Sequence, residues 1–423
     1  MLLAPSGRKE IMRRACKHLV LVALVSLFVG LGMTSSYQQS SPAQAATQPN
    51  IIFILTDDMR KDDLTDTYMP QTTTELVAKG MSFQNAFVSN PICCPSRSTI
   101  MRGQYAHNTK VWFTKNVFDP DPNVRDGGWL GYKGNGYEED NVATHLMKDA
   151  GYRTGFFGKY QNGYSGTTKP PGWDDWFAFH QLTYYNYDVN DNGTIKHYGS
   201  RSTDYSTDVL NSQVQEFIGA SAATPGKPFF AYVAPKAPHS PATPAPRHQH
   251  TFDRLQAPRL ASFNEADVSD KPPWIKSLPI LTSNNIANIN KRHENRVESL
   301  QAVDDLVGAV VGKLGEQGVL SNTYIVFTSD NGFHHGEHRV SSGKGRPYEE
   351  SVRVPLVISG PAVPPPPAGQ PRLSTDKLVL NTDYFPTFMQ LAGAQAQTPS
   401  YVDGRSLVPV LTPSATPPGG RPS

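Results

Sequence analysis

The chain has little cysteine and no marked excess of charge of either sign. Its 423 residues include three cysteines, and 39 Lys and Arg face 37 Asp and Glu, for a formal net charge of +2. A small secreted scaffold stapled by disulfides needs many spaced cysteines, so that class is excluded. Near-balanced charge without a Lys/Arg run gives no electrostatic basis for binding a nucleic-acid backbone, so no nucleic-acid partner is expected.

Long apolar runs are also scarce, and the exception lies at the N-terminus. A basic region ends at Lys17, an apolar run extends from Leu19 to Met33, and Ala43-Gln44-Ala45 provides a small-residue cleavage site. This order is typical of a secretory signal peptide, predicted over residues 1–45, with a retained anchor as the alternative. The run is shorter than the roughly 20 residues of a membrane span. We therefore expect export to the periplasm, the extracellular space or the cell surface, with no stable membrane span after signal cleavage.

Signal cleavage would remove Cys16 and leave Cys93 and Cys94 in the mature chain. Two adjacent cysteines cannot join distant segments, and a disulfide between neighbours would be strained. One interpretation is a pair of buried thiols. The surrounding sequence favours a chemical role.

Several apolar runs predict the strands of a buried sheet. They occupy residues 50–56, 228–233, 323–329 and 354–358. Continuous runs of this length are typical of strands covered on both faces, as in parallel sheets. Helices are predicted at residues 74–79, 141–150 and 294–315, the last with apolar residues at helical spacing. This alternation predicts an α/β fold with a large, mostly parallel central sheet between helices.

Other parts of the chain are predicted to be irregular. Loop-like segments rich in Gly, Pro and aromatic residues lie between about residues 160 and 250, around the strand at 228–233. The Pro-rich stretch 361–371 is predicted to be a linker or surface loop, and residues 413–423 a disordered tail.

Two predicted strands each end in a pair of oxygen-bearing side chains. Asp57 and Asp58 follow the strand at 50–56, and Asp330 and Asn331 follow the strand at 323–329. Ligand sites in open α/β sheets lie beyond the carboxyl ends of the strands, so these four side chains can converge. Hard oxygen donors suit Ca²⁺ or Mg²⁺ and not zinc. Each pair taken singly is also consistent with an ordinary turn, which Asp and Asn favour.

The segment from Cys93 to Arg97 reads Cys-Cys-Pro-Ser-Arg, with Met-Arg-Gly after it, and resembles the signature of the sulfatase family. The family oxidises the first cysteine of this signature to formylglycine, and the resemblance assigns that role to Cys93. Cys94 fills the variable position, and Arg102 departs from the family's usual threonine. The resemblance implies a formylglycine-generating oxidase as a maturation partner, and it adds Cys93 to the metal site.

Further segments match the family in the same order along the chain. The resemblance assigns sulfate-binding roles to Lys159, which follows Gly-Phe-Phe-Gly, and to Lys344, which lies four residues before Tyr-Glu. It assigns an active-site role to His239, within Ala-Pro-His-Ser-Pro. The chain departs from the family at Gln161, where many relatives have a histidine. His107 is the candidate substitute.

The resemblance extends over residues 49–411 and implies an alkaline-phosphatase-like α/β fold. It implies a catalytic domain over 49–375 and, over 376–412, the start of a small and apparently shortened C-terminal subdomain. Segments 159–162 and 184–187 and the doubled cysteine are most similar to N-acetylglucosamine-6-sulfatases and extracellular endosulfatases. A sulfated sugar is the implied substrate, and an aryl sulfate is a second one.

The expected chemistry is nucleophilic attack on an anionic sulfate ester. Arg97, with the two lysines and the metal (Ca²⁺ in preference to Mg²⁺), would absorb charge on the sulfate oxygens. The hydrated aldehyde made from Cys93 would attack sulfur, and His239, or a lysine beside it, would protonate the departing alcohol.

Three other interpretations of the sequence compete with this one. His334 to His338 matches H-x-x-E-H, the pattern of one zinc-peptidase class, but Gly332 and Gly336 favour a loop and not the required helix. A phosphate or phosphonate ester hydrolase could share the fold and the metal ligands. An inactive protein that only binds sulfated glycans is the third alternative.

Overall fold

A ten-stranded sheet forms the centre of the computed structural model, which describes residues 48–121, 123–367, 369–370 and 372–412. The strands are β1 (Asn50–Thr56), β2 (Met81–Phe87), β3 (Val111–Phe113), β4 (Asp126–Gly127), β5 (Arg153–Gly158), β6 (Asp175–Phe179), β7 (Tyr187–Asp191), β8 (Thr194–Tyr198), β9 (Phe229–Ala234), β10 (Thr323–Ser329), β11 (Leu356–Ser359) and β12 (Leu373–Leu380). Their order in the large sheet is β12-β2-β11-β10-β1-β9-β5-β6-β7-β8, and β3 pairs with β4 separately. The predicted signal peptide and C-terminal tail lie outside the described residues.

The middle of the sheet is parallel and its flanks are mixed. Strand β1 runs parallel to both β10 and β9, and β5 runs parallel to both β9 and β6. Antiparallel pairs join β10 to β11, β11 to β2, and β6 through β7 to β8. All seven residues of β1 are buried, as its continuous apolar run predicts. The predicted α/β class is confirmed.

Helices cover both faces of the sheet. The longer ones are α1 (Cys93–Arg102), α2 (Gly128–Gly134), α3 (Val142–Ala150), α4 (Ser206–Ala222), α5 (Ser283–Glu316) and α6 (Tyr384–Leu391). Short helical turns occupy Lys61–Asp63, Pro70–Thr72, Thr73–Val77, Ala106–Thr109, Ser202–Asp204, Pro246–His248, Pro273–Lys276, Leu320–Asn322, Glu349–Val352, Asn381–Asp383, Gln395–Gln397 and Val408–Leu411. None of the helices in the described ranges is long and apolar enough to cross a bilayer.

Alternate residues of β1 enter two separate hydrophobic cores. Ile51 and Phe53 pack in the core beneath α1, α3 and α6, whereas Ile52 and Ile54 pack in the core beneath α4 and α5. Successive side chains of a strand point to opposite faces, so one apolar run supplies both layers. This two-sided burial fixes β1 in the middle of the molecule and holds its carboxyl end in place.

The expectation of loops between residues 160 and 250 was wrong for much of that segment. It contains β6, β7, β8 and the 17-residue helix α4. The Asn192-Gly193 pair turns β7 into β8, with both residues at positive φ, which is the strongest short hairpin signal in a sequence. Helix α4 carries several small and polar residues, so its apolar stripe was not conspicuous.

The long helix starts at Ser283 and not near 294, where its apolar periodicity begins. The Thr282 side chain accepts a hydrogen bond from the Asn285 amide, and this cap starts a polar, largely exposed stretch that precedes the buried stripe.

The C-terminal segment joins the main sheet. Strand β12 pairs with β2 and crosses the boundary expected at residue 375, and Phe385 and Phe388 of α6 lie in the core beneath α1. The separate subdomain over 376–412 stays a prediction.

The described residues of 361–371 contain no helix or strand, in agreement with a surface loop.

Candidate active site

The carboxyl ends of β1 and β10 bring four polar side chains together. Thr56 and Ser329 are paired in the parallel register, so the residues after them are neighbours. The Asp58 amide donates to Asp330 Oδ1 at 3.0 Å, and Asn331 Nδ2 donates to Asp58 Oδ1 at 2.7 Å. These residues and Asp57 are buried. The structure thus places both predicted pairs in one polar cluster at the sheet edge.

Helix α1 directs Cys93 and Arg97 into this cluster. Cys93 is the first residue of α1, and its Sγ lies 3.5 Å from Asp57 Oδ1. Arg97 lies one turn later on the same helix face. Its Nε donates to Asp330 Oδ2 at 2.9 Å, and its Nη1 donates to the carbonyl of Lys159 at 2.7 Å.

Cys94 points in a different direction from Cys93. Its Sγ accepts a hydrogen bond from the Asn162 amide at 3.0 Å, and the side chain lies in the core beneath α1. Burial raises the pKa of the Cys94 thiol to about 12. Of the two thiols, the one of Cys93 therefore faces the polar cluster.

Two lysines complete the surroundings of Cys93. Lys159 directly follows β5, and its Nζ lies 2.5 Å from Asp57 Oδ2. Lys344 comes from the loop after β10; its Nζ lies 2.8 Å from Cys93 Sγ and also pairs with Asp58 Oδ1. The Cys93 thiol therefore sits between a carboxylate and an ammonium group.

Charges in the cluster shift the titration of its members. Burial and the charge of Asp57 raise the pKa of the Cys93 thiol to about 11, so the unmodified thiol is protonated at neutral pH. Burial acts to lower the pKa of Arg97, but Asp330 and Asp57 outweigh it and leave that pKa raised. Burial acts to raise the pKa of Asp57, but Lys159 and the other nearby cations hold it well below its usual value.

His239 lies at the more open side of the cluster. Its Nε2 is 3.8 Å from Asp58 Oδ2, its side chain is 28% exposed, and its Nδ1 is 2.8 Å from the carbonyl of Ser240. Lys236 Nζ donates to the carbonyls of Ser240 and His239, at 2.5 and 3.3 Å. The Tyr184 hydroxyl also donates to the His239 carbonyl, at 2.8 Å. These contacts fix the backbone that carries the imidazole.

Lys236 and Arg296 are site residues that the sequence analysis missed. Burial lowers the pKa of Lys236 to about 8, and its ammonium lies 4.6 Å from the centre of the Tyr184 ring. Arg296 is fully buried on α5; it donates to the carbonyls of Pro238 (3.0 Å) and Asp58. Asp58 has a φ of 72°, a conformation unusual for a non-glycine residue, and Arg296 stabilises it there. An arginine within the apolar stripe of a predicted helix was the available signal.

The donor atoms of the cluster fit a divalent cation. Ligand atoms of Asp57, Asp58, Cys93 and His239 all lie within 4.8 Å of one another. Asn331 Oδ1 is buried, and no donor within the described part of the chain reaches it. A buried amide oxygen without a donor beside two carboxylates is a suitable ligand set for a hard cation.

The sequence also singled out His107, Gln161 and the segment His334 to His338, and the structure locates each of them. His107 is exposed in the turn Ala106–Thr109, where its ring stacks on Tyr105 with centroids 5.6 Å apart. Its substitute role stays a prediction. Gln161 is buried, and its Oε1 meets no donor from the described residues. The segment His334 to His338 lies in a loop, as predicted, and burial lowers the pKa of His334 to about 3.

Comparison with known proteins gives one consistent result. The family model described as Sulfatase matches residues 49–394. An extracellular sulfatase of Drosophila melanogaster is 36% identical over 383 residues, covering 89% of this chain and 32% of that protein. The human N-acetylglucosamine-6-sulfatase is 34% identical over 381 residues, covering 87% of this chain and 65% of that protein. The chain thus spans less than two thirds of the length of these relatives.

A solved structure shares the fold. It shows a protein in complex with its substrate D-glucosamine-2-N,6-O-disulfate, and its TM-score is 0.65 at 25% identity, covering 86% of this chain and 80% of that chain. The large mixed sheet with helices on both faces is common to both, so the expected fold family is confirmed.

Proposed function

Because the chain belongs to the sulfatase family, we propose that it hydrolyses sulfate monoesters of sulfated sugars with a nucleophile made from Cys93. The observation that carries the proposal is the position of Cys93 Sγ. It lies at the start of α1, 3.5 Å from Asp57 and 2.8 Å from Lys344 Nζ, with Arg97 one turn away. A nucleophile at this point would meet an anionic ester that is already surrounded by cations.

The substrate proposal rests on the relatives. One related protein is named N-acetylglucosamine-6-sulfatase, and a structural neighbour was solved with a disulfated glucosamine as its substrate. We therefore propose a sulfated glucosamine as the preferred substrate class, with aryl sulfates as simpler substrates. Relatives named as extracellular sulfatases support export.

Three cations of the chain would bind the sulfate oxygens: Arg97, Lys159 and Lys344. Asp57, Asp58, Asp330 and Asn331, with the group at Cys93, would hold a divalent cation, and Ca²⁺ suits this oxygen-rich set better than Mg²⁺. The bound cation would supply further positive charge to the sulfate oxygens. Formylglycine, made from Cys93 by a maturing oxidase, would supply a hydroxyl nucleophile when hydrated.

His239 would provide the proton for the departing alcohol. The Nδ1 atom donates to the Ser240 carbonyl. The Nε2 atom therefore points toward Asp58, at the more open side of the cluster. The charge of Asp57 acts to raise the pKa of His239, but burial and the nearby lysines outweigh it and leave that pKa lowered. The imidazole therefore has to take up a proton before it can transfer one from Nε2 to an alkoxide. Sugar alcohols are poor leaving groups, so this proton matters more for sugar sulfates than for aryl sulfates.

Lys236→Met is expected to lower kcat on a sugar sulfate by about tenfold, part of the 10²–10⁴-fold effect of a general acid. The substitution removes the donors to the Ser240 and His239 carbonyls, so the imidazole loses its fixed position. The fall should be smaller on an aryl sulfate, whose alcohol leaves without assistance. Lys236→Arg, which keeps a cationic donor, should recover part of the rate; equal losses on both substrates would point to a general structural defect instead.

Matched substrates test the proposed activity. The secreted protein should release sulfate from D-glucosamine 6-sulfate and from an aryl sulfate, and it should act much more slowly on the corresponding aryl phosphonate. Chelation should stop the reaction and added Ca²⁺ should restore it. Faster hydrolysis of the phosphonate would show that the protein is a phosphonate ester hydrolase. Binding of a sulfated glycan without release of sulfate would show that it is an inactive glycan-binding protein.

A further inference from the structure

An exposed tryptophan lies beside the loop that carries Lys344. Trp274 belongs to the turn Pro273–Lys276, and 41% of its surface is exposed. The next residue, Ile275, is fully buried and packs with Val268 and Val340, with Tyr348 against them. The Trp274 indole is thus exposed, while the adjacent Ile275 side chain holds the segment in a small hydrophobic cluster.

Arg339 ties this segment to the loop after β10. Its guanidinium donates to the carbonyls of Glu265 (2.9 Å), Ala266 (2.8 Å) and Leu278 (3.1 Å). The three acceptors flank Trp274 on both sides in sequence. The position of the indole relative to the loop that carries Lys344 is therefore fixed by hydrogen bonds as well as by packing.

Arg346 brings a second cation to this surface. Its guanidinium lies 5.4 Å from the centre of the Trp274 ring, and its Nη1 is 3.4 Å from the Lys344 carbonyl. Within the described ranges no carboxylate pairs with this guanidinium, whereas the nearby Glu349 pairs with Arg353 at 3.0 Å. An arginine that has no acidic partner and lies over an exposed aromatic ring is available to an external anion.

The distance along the chain links this surface to the reacting centre. Arg346 follows Lys344 by two residues, and the Lys344 ammonium lies 2.8 Å from Cys93 Sγ. Two residues of chain span at most about 7 Å. The Gly345 amide, between the two cations, donates to the Pro91 carbonyl at 3.0 Å, so the backbone that carries Arg346 lies beside the segment leading into Cys93.

We infer that Trp274 and Arg346 form a subsite for a second sulfate group of a multiply sulfated sugar. The indole would stack on the sugar ring, and the guanidinium would bind the second sulfate through its paired N–H donors. This subsite rests on the proposed function and narrows it: the chain would prefer a disulfated glucosamine to the monosulfated one.

The kinetic test compares two sugars that differ by one sulfate. For D-glucosamine-2-N,6-O-disulfate against D-glucosamine 6-sulfate, Arg346→Gln should lower the ratio of kcat/KM values by about tenfold, and Arg346→Lys by less. Trp274→Ala should raise KM for both sugars, and Trp274→Phe, which keeps an aromatic ring, should raise it by less. Arg153→Gln removes an equal charge at the amino end of β5, the edge opposite the cluster, and should leave the ratio unchanged.

A uniform loss on both sugars in Arg346→Gln, or an unchanged ratio, would overturn the subsite. A binding measurement separates this outcome from failure of the proposed function. On the Cys93→Ala background, the disulfate should bind about tenfold more weakly once Arg346→Gln is added, whether or not the parent protein releases sulfate. Equal dissociation constants in the two variants would contradict the inference.

Discussion

Cys93→Ala is expected to lower kcat/KM for sulfate release by on the order of 10⁴-fold or more, the loss typical of a removed nucleophile. Alanine leaves Arg97 and the two lysines in place, so substrate binding should survive. Cys94→Ala is the matched control, because it removes the adjacent thiol from the apolar core and not from the cluster. It should retain activity within about tenfold, since large losses come from residues of the reacting unit.

Mass spectrometry extends this prediction to the modification itself. A peptide covering residues 92–97 should be lighter than its sequence mass by about 18 Da, as conversion of a cysteine to an aldehyde requires. The change should map to Cys93 and not to Cys94. Cys93→Ser keeps a hydroxyl that can attack sulfur but has no second hydroxyl to expel the sulfate, so a covalently sulfated serine should accumulate. Turnover by Cys93→Ser at the parent rate, or a modification found on Cys94, would contradict the scheme.

The cluster could be predicted from the sequence because two apolar strands end in polar pairs. A strand buried on both faces has a recognisable sequence, and the parallel register of β1 and β10 puts residues 57 and 330 side by side. Helix α1, which presents Cys93 and Arg97, was not predicted, although the i, i+4 spacing of the two residues places them on one helix face. Their roles, however, came from family resemblance and not from the spacing itself.

The supporting residues could not be predicted, because their roles depend on contacts between distant parts of the chain. Arg296 lies 238 positions from Asp58, whose carbonyl it binds, and nothing local marks that contact. Lys236 donates to backbone carbonyls. Every residue has a carbonyl, so the sequence does not indicate which ones Lys236 contacts. Helix α4 was missed for a different reason. Its apolar face is interrupted by small and polar residues, and its apolar side chains are stabilised by packing in the core that it shares with α5.

Asp330→Asn is expected to lower the free energy of unfolding by about 3 kcal/mol, the usual effect of removing one partner from a buried ion pair. The Arg97 guanidinium and the Asp330 carboxylate are 2.9 Å apart, and their side chains are 2% and 0% exposed. Without the carboxylate, the arginine would stay buried with its charge uncompensated. Urea denaturation in the presence of a chelator measures this effect without any contribution from a bound cation.

A second Arg–Asp pair provides the control for this prediction. Asp175→Asn breaks the pair with Arg153, whose partners are 2.8 Å apart but 24% and 31% exposed, so it should cost no more than about 1 kcal/mol. The double variant Arg97→Leu with Asp330→Asn removes both buried charges and should recover much of the lost stability, yet remain inactive. If Asp330→Asn were as stable as the parent, or if the double variant recovered activity together with stability, the ion pair would not have the role in the cluster that its geometry indicates.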